Sequence, residues 1–185
     1  MTTMSGFGRF AGYAAVALVS VAAGGLLGWF GHDFAPGPSN VMTVTFFDDW
    51  RVICPPLRQA DQSCQLRQDL LNAKTRAEVA HLSITSGTGG AVLTATVPYD
   101  VLIQPGLGLS LDGAKAQVYP LQTCDSTGCV ARIPADETLR GALRNAKEAR
   151  LLFAGLDKKV IALPFSLRGF SDADATFTAS ARRRP

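Results

Sequence analysis

From residue 43 onward the chain alternates apolar and polar positions in short runs, and period two is the signature of strands with one buried face. Between Val44 and Val52, Val44, Phe46, Trp50 and Val52 fall on one face, interrupted by Asp48; Thr43, Thr45, Asp49 and Arg51 fall on the other. This predicts one half-buried strand with Trp50 in the core. Gln65 to Leu71 and Glu78 to Thr85 predict two more strands. Gly87-Thr88-Gly89-Gly90 predicts a turn, and Ala91 to Val97 a β-branched strand stopped by Pro98. Tyr99 to Leu107 is broken by Pro105-Gly106. Leu107 to Leu111 predicts a strand closed by the hairpin dipeptide Asp112-Gly113. Lys115 to Thr123 alternates again, with Val118 on one face and Tyr119 and Leu121 on the other, and Val130 to Ile133 follows. Arg150 to Phe153 and Val160 to Leu167 predict a last hairpin around Leu156-Asp157-Lys158-Lys159, with Ile161, Leu163, Phe165 and Leu167 on its core face.

A helical period appears clearly once. Asp136 is placed to cap a helix whose Leu139, Ala142, Leu143 and Ala146 follow the i, i+3, i+4, i+7 rule. Its Arg140, Arg144 and Lys147 form a basic side expected to face solvent. Phe170 to Ala175 predicts no more than a final helical turn. Eight or nine short, regularly spaced strands with one short helix predict an all-β sandwich over residues 43–175.

The first forty residues follow another pattern. Ala11 to Phe30 is twenty residues without a charge, enough as a helix to span about 30 Å, the hydrocarbon thickness of a bilayer. Arg9 precedes the run and Asp33 follows it, with Trp29 and Phe30 at its outer end. The positive-inside rule then leaves residues 1–10 cytoplasmic, residues 11–31 as a single-pass transmembrane signal anchor in the inner membrane and the rest outside. Cleavage as a signal peptide after Val21-Ala22-Ala23 is the rival, though it leaves an apolar mature start at Gly24; either outcome exports the chain. Gly24 and Gly28 have the spacing of a close helix–helix contact within a membrane. Residues 32–42, with Ala35 to Asn40 rich in Pro, Gly, Ser and Asn, read as a linker.

Charge narrows the function. The 185-residue chain carries a net charge of +3. Arg182, Arg183 and Arg184 account for it, within a basic C-terminal tail at 176–185 expected to be solvated. The neutral body gives no electrostatic case for nucleic-acid binding. The four cysteines, Cys54, Cys64, Cys124 and Cys129, all follow the apolar run, and an even number in an exported chain reads as disulfides. Of three possible pairings the local ones are favoured. Asp125-Ser126-Thr127-Gly128 has the composition of a hairpin tip that lets Cys124 and Cys129 meet, and Cys54 then joins Cys64. Neither spacing is the C-x-x-C of a zinc knuckle or redox site. His32 and His81 lie in no triad or metal motif. Asp48 and Asp49, as strand neighbours, are expected to face opposite ways. No catalytic residue, cofactor or metal site is expected, and the chain reads as a non-enzyme.

Three stretches together resemble the invasion-associated locus B family of alphaproteobacterial envelope proteins: Phe47-Asp48-Asp49-Trp50-Arg51-Val52-Ile53-Cys54; Val101-Leu102-Ile103-Gln104-Pro105-Gly106-Leu107 running into Leu111-Asp112-Gly113; and Cys124-Asp125-Ser126-Thr127-Gly128-Cys129-Val130-Ala131. The resemblance implies an immunoglobulin-like β-sandwich, both local disulfides, an envelope location and no catalytic residues. Two functions follow as expectations. One is a periplasmic binding module that contacts a protein partner. The other is a single-span accessory subunit of an inner-membrane complex, held in the lipid bilayer through residues 11–31.

Overall fold

The computed structural model of the chain describes residues 41–56 and 62–182. The expected cytoplasmic segment, transmembrane helix with Gly24 and Gly28, most of the linker, His32, and Arg183 and Arg184 lie outside them. No helix among the described residues is long and apolar enough to cross a membrane.

The first expected strand is two. β1 (Thr43–Phe47) and β2 (Trp50–Cys54) pair antiparallel, Phe47 opposite Trp50, around Asp48 and Asp49. Asp48 has φ +48°, a left-handed conformation that Asp tolerates better than most residues, and it is this turn that interrupts the apolar face. β3 (Gln65–Leu71), β4 (Glu78–Gly87) and β5 (Gly90–Val97) continue the meander, and β8 (Leu121–Asp125) and β9 (Gly128–Pro134) complete a seven-stranded sheet in the order β1-β2-β3-β4-β5-β9-β8. The second sheet has the order β11-β10-β6-β7, from β6 (Leu107–Leu111), β7 (Gln117–Tyr119), β10 (Ala149–Ala154) and β11 (Val160–Phe165).

The two-layer sandwich is as expected, but its strand order is not the immunoglobulin one, in which successive strands are shared between sheets. Here five consecutive strands, β1 to β5, stay in one sheet. The run expected as one strand at Lys115 to Thr123 is divided at Pro120. A proline cannot donate to a ladder, so the chain leaves one sheet there as β7 and enters the other as β8. Asp112-Gly113 opens a wider loop rather than a two-residue hairpin, and the Asp112 carboxylate receives the N–H groups of Lys147 and Glu148 at 2.7 and 2.9 Å. Those bonds hold the Asp112 carboxyl below the usual carboxylate range.

Pairing aligns one apolar row across five strands: Val52, Leu66, Ile84, Leu93 and Ile133 lie side by side, all buried. Leu107, Leu109, Leu151 and Phe153 meet this row from the smaller sheet and join the same core. On the expected core face of β11, Phe165 is buried and Leu163 partly so, whereas Ile161 is 43% exposed.

Among the described residues there are two helices, not one. α1 (Glu137–Asn145) is capped as expected, the Asp136 carboxylate accepting the Leu139 N–H at 2.8 Å. α2 (Phe170–Arg182) runs seven residues past the expected end at Ala175, through most of the supposed tail. Phe170, Ala173, Asp174 and Phe177 make its buried stripe at helical spacing. β-branched Thr176 and Thr178 are poor helix formers, so propensity obscured a helix that packing against β1, β2 and β3 supports. Gly169 precedes it with φ +77°, and any Cβ there would sit 2.1 Å from the Phe47 carbonyl oxygen.

Candidate functional site

Both local disulfides are formed, Cys54–Cys64 and Cys124–Cys129. The first links β2 to the start of β3; the second closes the β8–β9 tip. At that tip Gly128 has φ +143°, and a Cβ there would meet the Val97 carbonyl oxygen at 2.3 Å. Among the described residues, no group of three His, Cys, Asp or Glu side chains is placed to hold a metal ion. The His81 Nδ1 is 2.7 Å from Glu78 Oε1 on the outer face of the large sheet. On the same face Asp69 accepts hydrogen bonds from Arg51 and Arg67. Partial burial raises the Asp69 carboxyl, but the two guanidinium bonds outweigh it and hold the group below its ordinary value. Asp48 and Asp49 are neither a pair of acids nor strand neighbours; Asp49 accepts from the Ser166 hydroxyl at 2.6 Å, and Asp48 lies 3.4 Å from Arg168 Nη2.

The expected basic side of α1 is solvated only at Lys147, which is exposed and lies past the helix end; Arg140 and Arg144 are engaged. Asp174 of α2 is 1% exposed and accepts from Arg140 Nε at 2.7 Å and from Arg144 Nη1 at 2.6 Å. Arg140 also reaches Thr178 Oγ1, and its guanidinium lies 6.0 Å from the Phe177 ring centroid. Arg144 reaches Glu137, which lowers the Glu137 carboxyl. Two Arg–carboxylate contacts, from Arg140 and Arg144 to Asp174, thus join the helices, and Glu137 pairs with the same two arginines within α1. The cue in the sequence was an aspartate, Asp174, at helical spacing within an apolar stripe.

Beside this clamp the core is sealed. Trp50 is 1% exposed, packs edge-to-face on Phe170 at 5.0 Å, and donates its Nε1–H to the Ser166 carbonyl at 2.9 Å. Gln68 Nε2 donates to the same carbonyl at 3.0 Å.

Where β3 ends and β4 begins, the core is open. A cleft of about 630 Å³ lies between the layers there, its apolar wall made by Leu71, Val79, Val101, Phe153, Ile161 and Leu163. That volume is in the range of ligand-sized pockets. The cleft's loops hold themselves in place. Val101 bridges Gly155, Leu102 N–H donates to the Ala154 carbonyl at 2.8 Å, and the Asn72 carboxamide oxygen accepts the N–H groups of Lys74 and Thr75 at 2.9 and 3.0 Å. Polar groups at the cleft are Asn72, Asp100 and Asp157. Asp157 pairs with Lys159 at 2.9 Å, which lowers its carboxyl; Asp100 has no side-chain partner among the described residues.

Around this opening the surface turns apolar. Tyr99, Ile103, Val118, Leu156 and Val160 are each 58–69% exposed, and Leu71 and Ile161 are each 43% exposed. They occupy the connections at this end or line the cleft and the shallow groove beside β10. The other exposed large apolar side chains among the described residues, Val41, Met42, Val44 and Phe46, lie at the start of the domain on or before β1. The alternation had placed Ile161 in the core and said nothing of Tyr99, Asp100 or Leu156.

A family model described as Invasion associated locus B (IalB) protein matches residues 50–177. The chain is similar in structure to the crystal structure of invasion associated protein B from Bartonella henselae, with a TM-score of 0.66 and 22% identity over 76% of this chain and 99% of that one. At that identity the likeness speaks for the fold. No curated protein matches the chain.

Proposed function

Since this chain belongs to the invasion associated locus B family, we propose that it is a non-catalytic binding module, exported to the cell envelope, that acts by surface contact with a protein partner. The observation that carries this reading is the gathering of Leu71, Tyr99, Ile103, Leu156, Val160 and Ile161 around a preformed cleft at one end of the domain. Contiguous exposed apolar surface of this kind marks contact sites more often than it marks a free monomer surface. The supporting chemistry on the export side is the uncharged run from Ala11 to Phe30 together with two disulfides.

A second reading has its own observation. Val41, Met42, Val44 and Phe46 are exposed, follow the apolar run closely, and include the open edge strand β1. They suit a single-span accessory subunit, anchored in the inner membrane through residues 11–31 with Gly24 and Gly28 against a neighbouring helix. Purification of the native protein from membranes in mild detergent tests both. A stoichiometric partner released by Leu156→Glu supports the binding module; one released instead by Phe46→Glu supports the accessory subunit. Recovery of a monomer alone, with no partner at native abundance, sinks both.

A further inference from the structure

The cleft has an architectural origin that bears on what fills it. Seven strands span about 29 Å between edges and four about 14 Å, so the smaller sheet cannot cover the larger. α2, a cylinder about 10 Å across, covers β1 to β3. The remaining gap is about one strand wide. It is closed where the chain leaves β11 at Phe165 and turns through Ser166 toward Trp50, and it is open at the Val160 end, where the cleft lies.

The strand beside the gap, β11, is an edge. Gly155 donates to the Lys159 carbonyl at 3.0 Å at the head of the β10–β11 ladder, and Phe153 faces Ile161 within it. By the alternation of an antiparallel ladder, Ile161, Leu163 and Phe165 turn their backbone groups to β10, while Val160, Ala162 and Pro164 turn theirs outward. Pro164, which has no N–H to lose, falls in the outward set. Val160 and Ala162 therefore present unpaired backbone groups beside an apolar cleft into which Ile161 and Leu163 face. The lining also includes the Asp100 carboxylate, without a side-chain partner among the described residues, and no cationic side chain.

We propose that the β11 edge and the adjoining cleft bind an extended peptide segment of a partner protein as an added fifth strand, with apolar side chains entering the cleft and a basic residue at the strand end meeting Asp100. This rests on the binding-module reading and gives its partner a chemistry: strand-forming, apolar on alternate positions and basic at an end. Main-chain pairing supplies affinity in such additions and alternate pockets supply selectivity. The open edge favours a strand over a small amphiphile, which needs no backbone partner.

The test uses the full chain in nanodiscs of zwitterionic lipid and a fluorescent six-residue core of alternating valine and threonine with lysine at both ends. Fluorescence anisotropy is expected to show saturation of one site. The same peptide ended by glutamate binds at least tenfold more weakly, and N-methylation of its backbone amides weakens the lysine form at least tenfold. Asp100→Asn, at an exposed position, brings the lysine-to-glutamate preference below threefold. Absence of saturable binding by the lysine peptide overturns the proposal, as does equal binding of the N-methylated form or a preference unchanged in Asp100→Asn. If a stoichiometric native partner is released by Leu156→Glu while the peptides fail to bind, the added strand is wrong and the binding module stands. If no partner is found, the module reading itself fails.

Discussion

The inner face of the large sheet is finished in two ways. Over β1 to β3 it is closed by α2, with Trp50, Phe170 and Phe177 each at most 1% exposed and a buried carboxylate held by two arginines. A few residues further along β3, at Leu71, no described residue covers it, and apolar side chains stand partly in solvent around an opening. The closed side shows that the sequence had the means to seal its core. The open side therefore reads as a surface kept available, and mutation should affect the two sides in opposite ways: stability on one, association on the other.

The comparison breaks first if the closed side tolerates loss of its cover. Ending the chain at Ala175 removes Phe177 and Thr178, and truncating a buried Phe alone costs about 3–5 kcal/mol. Urea unfolding is expected to show a loss of at least about 4 kcal/mol, or no cooperative transition. A near-normal midpoint returns residues 176–185 to the status of a tail. Next comes Asp174→Ala, which removes the buried acceptor shared by Arg140 and Arg144. Breaking one partner of a buried ion pair costs about 3 kcal/mol. Thermal melts should place this variant well below an Arg150→Ala control, whose ion pair is exposed.

Acid sharpens the contrast by a smaller amount. The folded Asp69 carboxyl lies below its ordinary value, so its contribution to stability is present above the unfolded-state value near 3.8 and is lost as pH falls through the folded one. An Asp69→Asn variant should lose part of the wild-type fall in melting temperature below about pH 4. An identical acid profile in the two proteins removes Asp69 from the account. The smallest stability effect belongs to the open side. Leu156 is 67% exposed, and Leu156→Glu should change unfolding free energy by no more than about 0.5 kcal/mol. If the unfolding curve moves by several times that amount, the exposed leucine is part of the fold rather than of a contact surface.

How much of this the sequence disclosed depends on where the information resides. Strands β3, β5 and β6 were readable because alternation and turn residues are local, and both cysteine pairs were readable because each closes a short loop. The β1–β2 hairpin was hidden because its turn uses Asp48 and Asp49 without a glycine to announce it. α2 was hidden because its stability comes from Trp50 and the strands beneath it, more than 100 positions away. The basic side of α1 looked solvated because its acceptor, Asp174, lies 30 residues off. The cleft was illegible for a related reason. It is a gap left by the unequal widths of two layers, a quantity carried by no segment alone.

The contact of Phe170 with Trp50 joins the last helix of the domain to one of its first strands. A chain that emerges N-terminus first from a ribosome therefore carries its largest core side chain without its aromatic partner until residue 170 has been added. The early meander can pair from neighbouring segments, but the finished core waits for residues 170–177.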